Sequence, residues 1–122
     1  MNGKNEHLSD RLREFAVNVI KITDMLPITV AGRHVGGQLI RAGTSSGSNY
    51  EEACGAESRS DFVHKMSIVL KELKEARFWL RVIQRTRMLS ISDTGPAIDE
   101  CEQLCAIVAK SIITAKDRKR KD

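Results

Sequence analysis

The sequence predicts an all-α protein, an antiparallel up-down-up-down four-helix bundle formed by one domain. Apolar residues recur in alternating steps of three and four along four segments, which places them on one face of an α-helix. Short stretches rich in turn-forming residues separate the segments, and short connections join antiparallel neighbouring helices. With one Trp, one Tyr and three Phe among 122 residues, the core is expected to be aliphatic.

The first predicted helix begins near Ser9, which can cap it, and ends before Pro27, because the residue ahead of a proline avoids helical backbone angles. Its apolar face consists of Leu8, Leu12, Phe15, Val19, Ile22 and Leu26. We expect a disordered N-terminus over residues 1–8, the bundle over 9–116 and a basic tail over 117–122.

The second predicted helix runs from Thr29 to Cys54 despite its glycines. Each glycine inside a helix costs about 1 kcal/mol relative to alanine, so propensity alone would make Gly43–Ser48 a loop. The helical spacing nevertheless continues through Val35, Leu39, Ala42, Ser46, Asn49 and Ala53. The glycines also share one side of the helix, where a second helix could approach closely: Gly32, Gly36, Gly43 and Gly47.

The third predicted helix, Ser60 to Arg85, has the most regular pattern in the chain. Ser60 is the expected N-cap, and Asp61 suits the positive end of the helix dipole. The apolar face consists of Phe62, Met66, Val69, Leu73, Ala76, Leu80 and Ile83. More large apolar residues, which favour contact with another copy of the chain, lie on the opposite side: Ile68, Phe78, Trp79 and Val82. A loop or helix of the same chain covering them is the alternative.

The fourth predicted helix begins near Pro96, which suits a first helical turn, with Ser92 or Asp93 as the cap. Its apolar face consists of Ile98, Cys101, Cys105, Val108, Ile112 and Ala115.

Composition and motifs exclude several classes of function. No apolar run reaches the roughly 18 residues of a membrane span, and no signal peptide opens the chain, so we expect a cytoplasmic protein. The spacing of Cys101 and Cys105 could hold a metal, but the neighbouring sequence offers no further ligand, so buried thiols are the favoured interpretation. Neither nucleotide-binding nor metalloprotease motifs occur. We therefore expect no enzyme activity, cofactor or metal.

The basic residues are concentrated at the C-terminus. The formal net charge is only +4, with 20 Lys and Arg against 16 Asp and Glu, and the pI is about 9.1. A solvated helix end is one interpretation of the cluster, and contact with RNA or DNA phosphates is the other. The residues concerned are Lys116, Arg118, Lys119, Arg120 and Lys121.

Helix two also carries a group of polar residues that invites two interpretations. A buried polar residue such as Asn49 can fix the register of packed helices. A ligand or catalytic site built on Ser45, Asn49 and Glu52 is the less favoured hypothesis, because no histidine or nucleophile–base pair accompanies them. The full group comprises Ser45, Ser48, Asn49, Glu51 and Glu52.

A family resemblance rests on the run QLIRAGTSSGSNYEEA at positions 38–53 and on shorter matches at 55–59, 61–62 and 79–81. These segments resemble the four-helix-bundle proteins named after reading frames in intervening sequences of bacterial 23S ribosomal RNA genes. The resemblance implies a bundle that forms a homo-oligomer, typically a ring of five, without known enzyme activity. The run RFWLR at 77–81 is also similar to Avd-type accessory proteins of diversity-generating retroelements, which bind a reverse transcriptase and nucleic acid.

Two functions follow as hypotheses. The first is a homo-oligomeric, pentameric scaffold or interaction protein; the second is a nucleic-acid-binding accessory factor that acts with RNA or a reverse transcriptase. The residues expected at the interface between copies are Gly36, Gly43, Gly47, Tyr50, Ile68, Phe78, Trp79 and Val82.

Overall fold

The computed structural model describes the backbone of residues 3–121 and the side chains of residues 7–118, and it confirms the all-α prediction. Four α-helices follow one another along the chain: α1 Gly3–Asp24, α2 Val30–Cys54, α3 Arg59–Arg85 and α4 Ile91–Lys121. Over this described part, no helix combines the length and the apolar character needed to cross a bilayer.

The helices form a closed bundle in which each one packs against two neighbours. α2 lies between α1 and α3, α3 lies between α2 and α4, and α1 and α4 share the smallest of the four contacts. The pairing of α1 and α2 runs antiparallel: along α2, Gly36 faces Thr23 at the end of α1 and Leu26 just after it, and Gly47 faces Leu12. The predicted up-down-up-down order is confirmed.

The core consists of the apolar faces that the sequence predicts. Every predicted apolar residue of helices one and four is buried. On α3 only Phe62 is half-buried, and it still packs against the core; the buried members are Met66, Val69, Leu73, Ala76, Leu80 and Ile83. On α2, Ser46 is fully buried, and its hydroxyl donates to the Gly43 carbonyl within the helix, 3.0 Å away.

The glycines of α2 serve contacts inside the subunit. α2 is an unbroken helix from Val30 to Cys54, so the helical interpretation of Gly43–Ser48 is confirmed. A methyl group on Gly43 would lie 2.8 Å from both γ-carbons of Val19, and one on Gly47 would lie 3.6 Å from the β-carbon of Leu12. The close approach that these glycines allow is therefore to α1.

This packing corrects the predicted interface for half of its residues. Gly36, Gly43 and Gly47 face α1 of the same chain, so that surface is already occupied. Tyr50 is 3% exposed, and burial raises the pKa of its phenol. Gly36, Gly43 and Tyr50 are therefore buried within their own subunit, and Gly47 is half-buried there.

Three predicted helix starts are wrong by up to two turns. Ser58, not Ser60, caps α3: its hydroxyl accepts a hydrogen bond from the Asp61 amide at 3.0 Å. α4 begins at Ile91, and the hydroxyl of Ser90 accepts from the Asp93 amide at 3.1 Å. Pro96 therefore lies in the second turn rather than the first.

At the chain ends, α1 begins at Gly3 rather than near Ser9, and α4 continues through Lys121 into the predicted tail. Residues 1, 2 and 122 lie outside the described residues.

Candidate functional site

A polar cluster lies between α2 and α3, and we define it as Arg41, Ser45, Glu72, Glu75 and Trp79. Glu72 is its centre and is only 6% exposed. One carboxylate oxygen of Glu72 accepts from Arg41 Nη1 at 2.9 Å and from the Ser45 hydroxyl at 2.7 Å. The second guanidinium nitrogen of Arg41 binds Glu75, which also accepts from the indole Nε1 of Trp79 at 3.4 Å.

The local helical spacing explains how these side chains meet. α3 carries a second stripe beside its core face, in which residues follow one another in steps of four, three, four and three. The stripe consists of Ile68, Glu72, Glu75, Trp79 and Val82. The sequence interpretation recognised only the apolar members of this stripe. The intervening glutamates at the same spacing were the signal that could have revealed the cluster.

The electrostatics of the polar cluster are those of a satisfied network. The hydrogen bond from Arg41 lowers the pKa of the Glu75 carboxyl, and the hydrogen bond to Glu75 raises the pKa of the Arg41 guanidinium. Among the described side chains, no buried nitrogen or oxygen lacks a hydrogen-bond partner. The cluster contains carboxylates, a guanidinium and a hydroxyl, but no histidine or thiol to serve as a base or nucleophile at neutral pH.

The polar group predicted on α2 does not converge on a single point. Ser45 reaches α3, whereas the amide of Asn49 donates to the Ser45 carbonyl at 2.8 Å and the hydroxyl of Ser48 donates to the same carbonyl at 3.1 Å. Glu51 accepts a hydrogen bond from Ser9 of α1. Glu52 is exposed. The residues therefore serve separate contacts, within α2 and to two neighbouring helices.

The second apolar side of α3 is largely covered within the subunit. Trp79 and Val82 are half-buried and pack against the core, and Ile68 is half-buried as well. Trp79 contacts His34 of α2 edge-on, with ring centroids 5.8 Å apart. Phe78 is the exception, because 56% of it is exposed.

Phe78 lies within an exposed, cationic side of α3 that sequence interpretation missed. We define the outer face of α3 as the exposed positions 64, 67, 71, 74, 78, 81 and 85. Its charged residues are Lys71, Lys74, Arg81 and Arg85. The same seven-residue repeat that identifies the buried face also identifies this outer face, once charge rather than hydropathy is followed around the helix.

A second exposed surface is apolar and lies at one end of the bundle. The antiparallel order brings the α1–α2 and α3–α4 connections to the same end. Ile28, Val30 and Ile91 are 82%, 89% and 74% exposed there, and Met25 is also exposed. We call these four residues the apolar end.

The basic residues at the C-terminus are only partly described. Lys116 and Arg118 are exposed on α4, whereas the side chains of Lys119, Arg120 and Lys121 lie outside the described residues.

The cysteines are free thiols: Cys54 is exposed, and Cys101 and Cys105 are buried, as predicted for that pair. The thiol of Cys101 donates to the Leu73 carbonyl at 3.1 Å, and the adjacent Cys105 together with burial raises the pKa of Cys101. In the part of the chain that the structure describes, no three His, Cys, Asp or Glu side chains group in a way that could hold a metal ion.

Comparison with known proteins identifies the family. The family model described as 23S rRNA-intervening sequence protein matches residues 5–110. The chain is also similar to a crystal structure of a protein of unknown function from the S23 ribosomal protein family of Bacteroides thetaiotaomicron VPI-5482. The two share 29% identity with a TM-score of 0.81, and the match covers 89% of this chain and 97% of that one. A comparison with curated proteins finds no significant match. The chain belongs to the 23S rRNA-intervening sequence protein family.

Proposed function

We propose that this chain is a non-enzymatic helical scaffold or interaction protein that works as a homo-oligomer, with five copies as the sequence resemblance implies. The observation that carries the proposal is the apolar end. Ile28, Val30 and Ile91 each expose about three quarters of their surface or more. Large apolar side chains exposed at the same end of a bundle are typical of a surface that another molecule covers.

The apolar end is a better interface than the outer face of α3. Phe78 is exposed, but Lys74 and Arg81 lie on either side of it along the outer face. Two copies that met through these faces would bring like charges together, which is unfavourable. Met25, Ile28, Val30 and Ile91 carry no charge, so contact between copies at these four side chains does not bring like charges together.

The polar cluster supports the part of the proposal that assigns no enzyme activity to the protein. The Glu72 oxygen that accepts from the Ser45 hydroxyl also accepts from Arg41, and only 6% of Glu72 is exposed, so this pair has little access to a substrate. A cytoplasmic location is part of the proposal, because three free thiols suit a reducing compartment.

Light scattering after size exclusion tests self-association at tens of micromolar protein. The expected mass is about five times the 13.6 kDa of one chain. The double variant Ile28→Glu/Val30→Glu should reduce that mass to one chain, since it adds charge to the apolar end. Ile113→Glu is the matched control, because Ile113 is 60% exposed near the other end of the bundle. A monomeric wild-type protein would overturn the proposal, and an unchanged mass for the double variant would place the interface elsewhere.

The second candidate function is nucleic-acid binding as an accessory factor. The observation that favours it is the continuation of α4 through Lys121, which extends the exposed cations Lys116 and Arg118 along a helix. Deletion of residues 116–122 should then weaken binding to RNA or DNA, and equal affinity after deletion would exclude this segment as the contact.

A further inference from the structure

We propose that the outer face of α3, from Lys71 to Arg85, is a binding surface for single-stranded nucleic acid, with Phe78 as a platform for a base. This goes beyond self-association, and it uses a different helix from the C-terminal segment of α4. The only feature that this proposal shares with the second candidate function is the class of ligand, nucleic acid.

The cations of this surface form a straight row along the helix. The row consists of four exposed residues, with steps of three, seven and four positions between them: Lys71, Lys74, Arg81 and Arg85. Phe78 lies in the central gap of seven positions. At a rise of about 1.5 Å per residue, the row is about 21 Å long. A row of this length can follow the backbone of a few nucleotides, because each of its unpaired cations can neutralise one phosphate.

No carboxylate occupies the outer face itself, from His64 to Arg85. Of the acidic residues at its two sides, Glu75 is paired with Arg41 of α2, which lies outside the row. Glu102 of α4 pairs with Arg81 at 2.5 Å and so offsets the charge of that one member of the row. Among the described residues, Lys71, Lys74 and Arg85 form no ion pair within 4.0 Å. Their charge is therefore available to an anionic partner.

Phe78 gives the row its preference for unpaired bases. Its ring lies edge-on against Trp79, with centroids 4.9 Å apart and an interplanar angle of 79°, so the contact supports the ring while over half of the residue stays exposed. An exposed aromatic ring between cations is the arrangement on which single-stranded bases stack without sequence preference. In a duplex the bases are stacked on each other and cannot reach such a ring, and an acidic peptide has no bases to place on it.

The full-length protein should bind a fluorescein-labelled oligo(dT) or oligo(U) of about 20 nucleotides, as measured by fluorescence anisotropy. Binding should also quench the intrinsic fluorescence of the protein, because Trp79 is its one tryptophan and touches Phe78. Phe78→Ala should weaken binding by about 5-fold to 150-fold. Lys71→Ala/Lys74→Ala should reduce the slope of log affinity against log salt by about 1.4, since each phosphate contact on a single strand contributes about 0.7.

The matched control is Lys21→Ala/Lys110→Ala, which removes two exposed lysines from α1 and α4 and so changes the net charge equally. Because all four lysines are exposed, circular dichroism should show equal folding. Deletion of residues 116–122 separates this surface from the second candidate: binding that is lost only on deletion supports the tail and overturns this proposal. Three further outcomes would overturn the proposal. The first is an equal loss of oligonucleotide affinity in the two double-lysine variants. The others are an affinity for duplex DNA or poly-glutamate equal to that for the oligonucleotide, and no oligonucleotide binding by the wild-type protein.

Discussion

Substitution of Gly43 by alanine tests the close contact between α1 and α2 at Val19. The added methyl would lie 2.8 Å from Cγ1 and Cγ2 of Val19 and 3.1 Å from its Cβ. Val19 is fully buried and β-branched, so it cannot rotate away without clashing elsewhere. Overpacking of this kind costs about 1–3 kcal/mol. Alanine in place of glycine within a helix returns about 1 kcal/mol, so the net change is between about zero and 2 kcal/mol of destabilisation.

Gly37→Ala is the matched control that isolates the contact. Gly37 lies in the same helix, is exposed, and has no atom within 4 Å of the added methyl. Gly37→Ala should raise the free energy of unfolding by about 0.5–1 kcal/mol from helix propensity alone. Because propensity cancels between the two variants, their difference of about 1–3 kcal/mol reports the overpacking.

Urea denaturation followed by circular dichroism measures both variants, at two protein concentrations so that any effect of self-association is visible. On a Val19→Ala background the two γ-carbons are gone, and Gly43→Ala should then stabilise by about as much as Gly37→Ala does. If Gly43→Ala is as stable as Gly37→Ala in the wild-type background, α1 and α2 do not approach as closely as described.

Two further predictions concern the polar cluster. Glu72→Ala should reduce the free energy of unfolding by about 1–3 kcal/mol, because it removes the acceptor that Ser45 and one guanidinium nitrogen of Arg41 share across the helix interface. Glu72→Gln keeps an acceptor oxygen and should lose less stability, and equal losses for the two variants would contradict the hydrogen-bonding role. Arg41 lowers the pKa of Glu75, so the Glu75 carboxylate contributes stability above its usual pKa and loses it as the pH falls through the lowered value. Between about pH 5 and pH 3, the free energy of unfolding measured by urea denaturation should therefore fall less for Glu75→Gln than for the wild-type protein. Parallel falls in the two proteins would exclude a contribution of the Glu75 carboxylate to stability.

The buried face of each helix could be predicted from the sequence because burial follows the helical repeat directly. α2 shows this most clearly: the spacing of Leu39 and Ala42 identified a helix that the propensities of Gly43 and Gly47 opposed. Tertiary packing against α1 offsets those propensities, since glycine is the residue that permits the approach.

The partner of each surface could not be predicted, because the repeat shows only that a side is small or apolar. Gly43 was expected to face another copy, whereas it faces Val19 of α1. The start of α3 was also ambiguous, since Ser58 and Ser60 both have the chemistry of a cap and only the backbone course decides between them. Glu72 escaped prediction because a charged residue is rarely buried unless it is paired, and Arg41 lies 31 positions away.

The unequal contacts around the bundle determine where it opens first. α1 and α4 share the smallest interface, across which Arg11 forms an ion pair with Glu100 at 2.6 Å. The other interface of α1, with α2, is smaller than the one that α4 forms with α3, so α1 is the least tightly packed helix. Local opening follows the path on which the fewest buried contacts break, so amide protons of α1 should exchange with solvent ahead of those in α3. A detached α1 would leave a vacant channel along α2 at Gly43 and Gly47, and the α1 of a neighbouring chain could fill it by domain swapping.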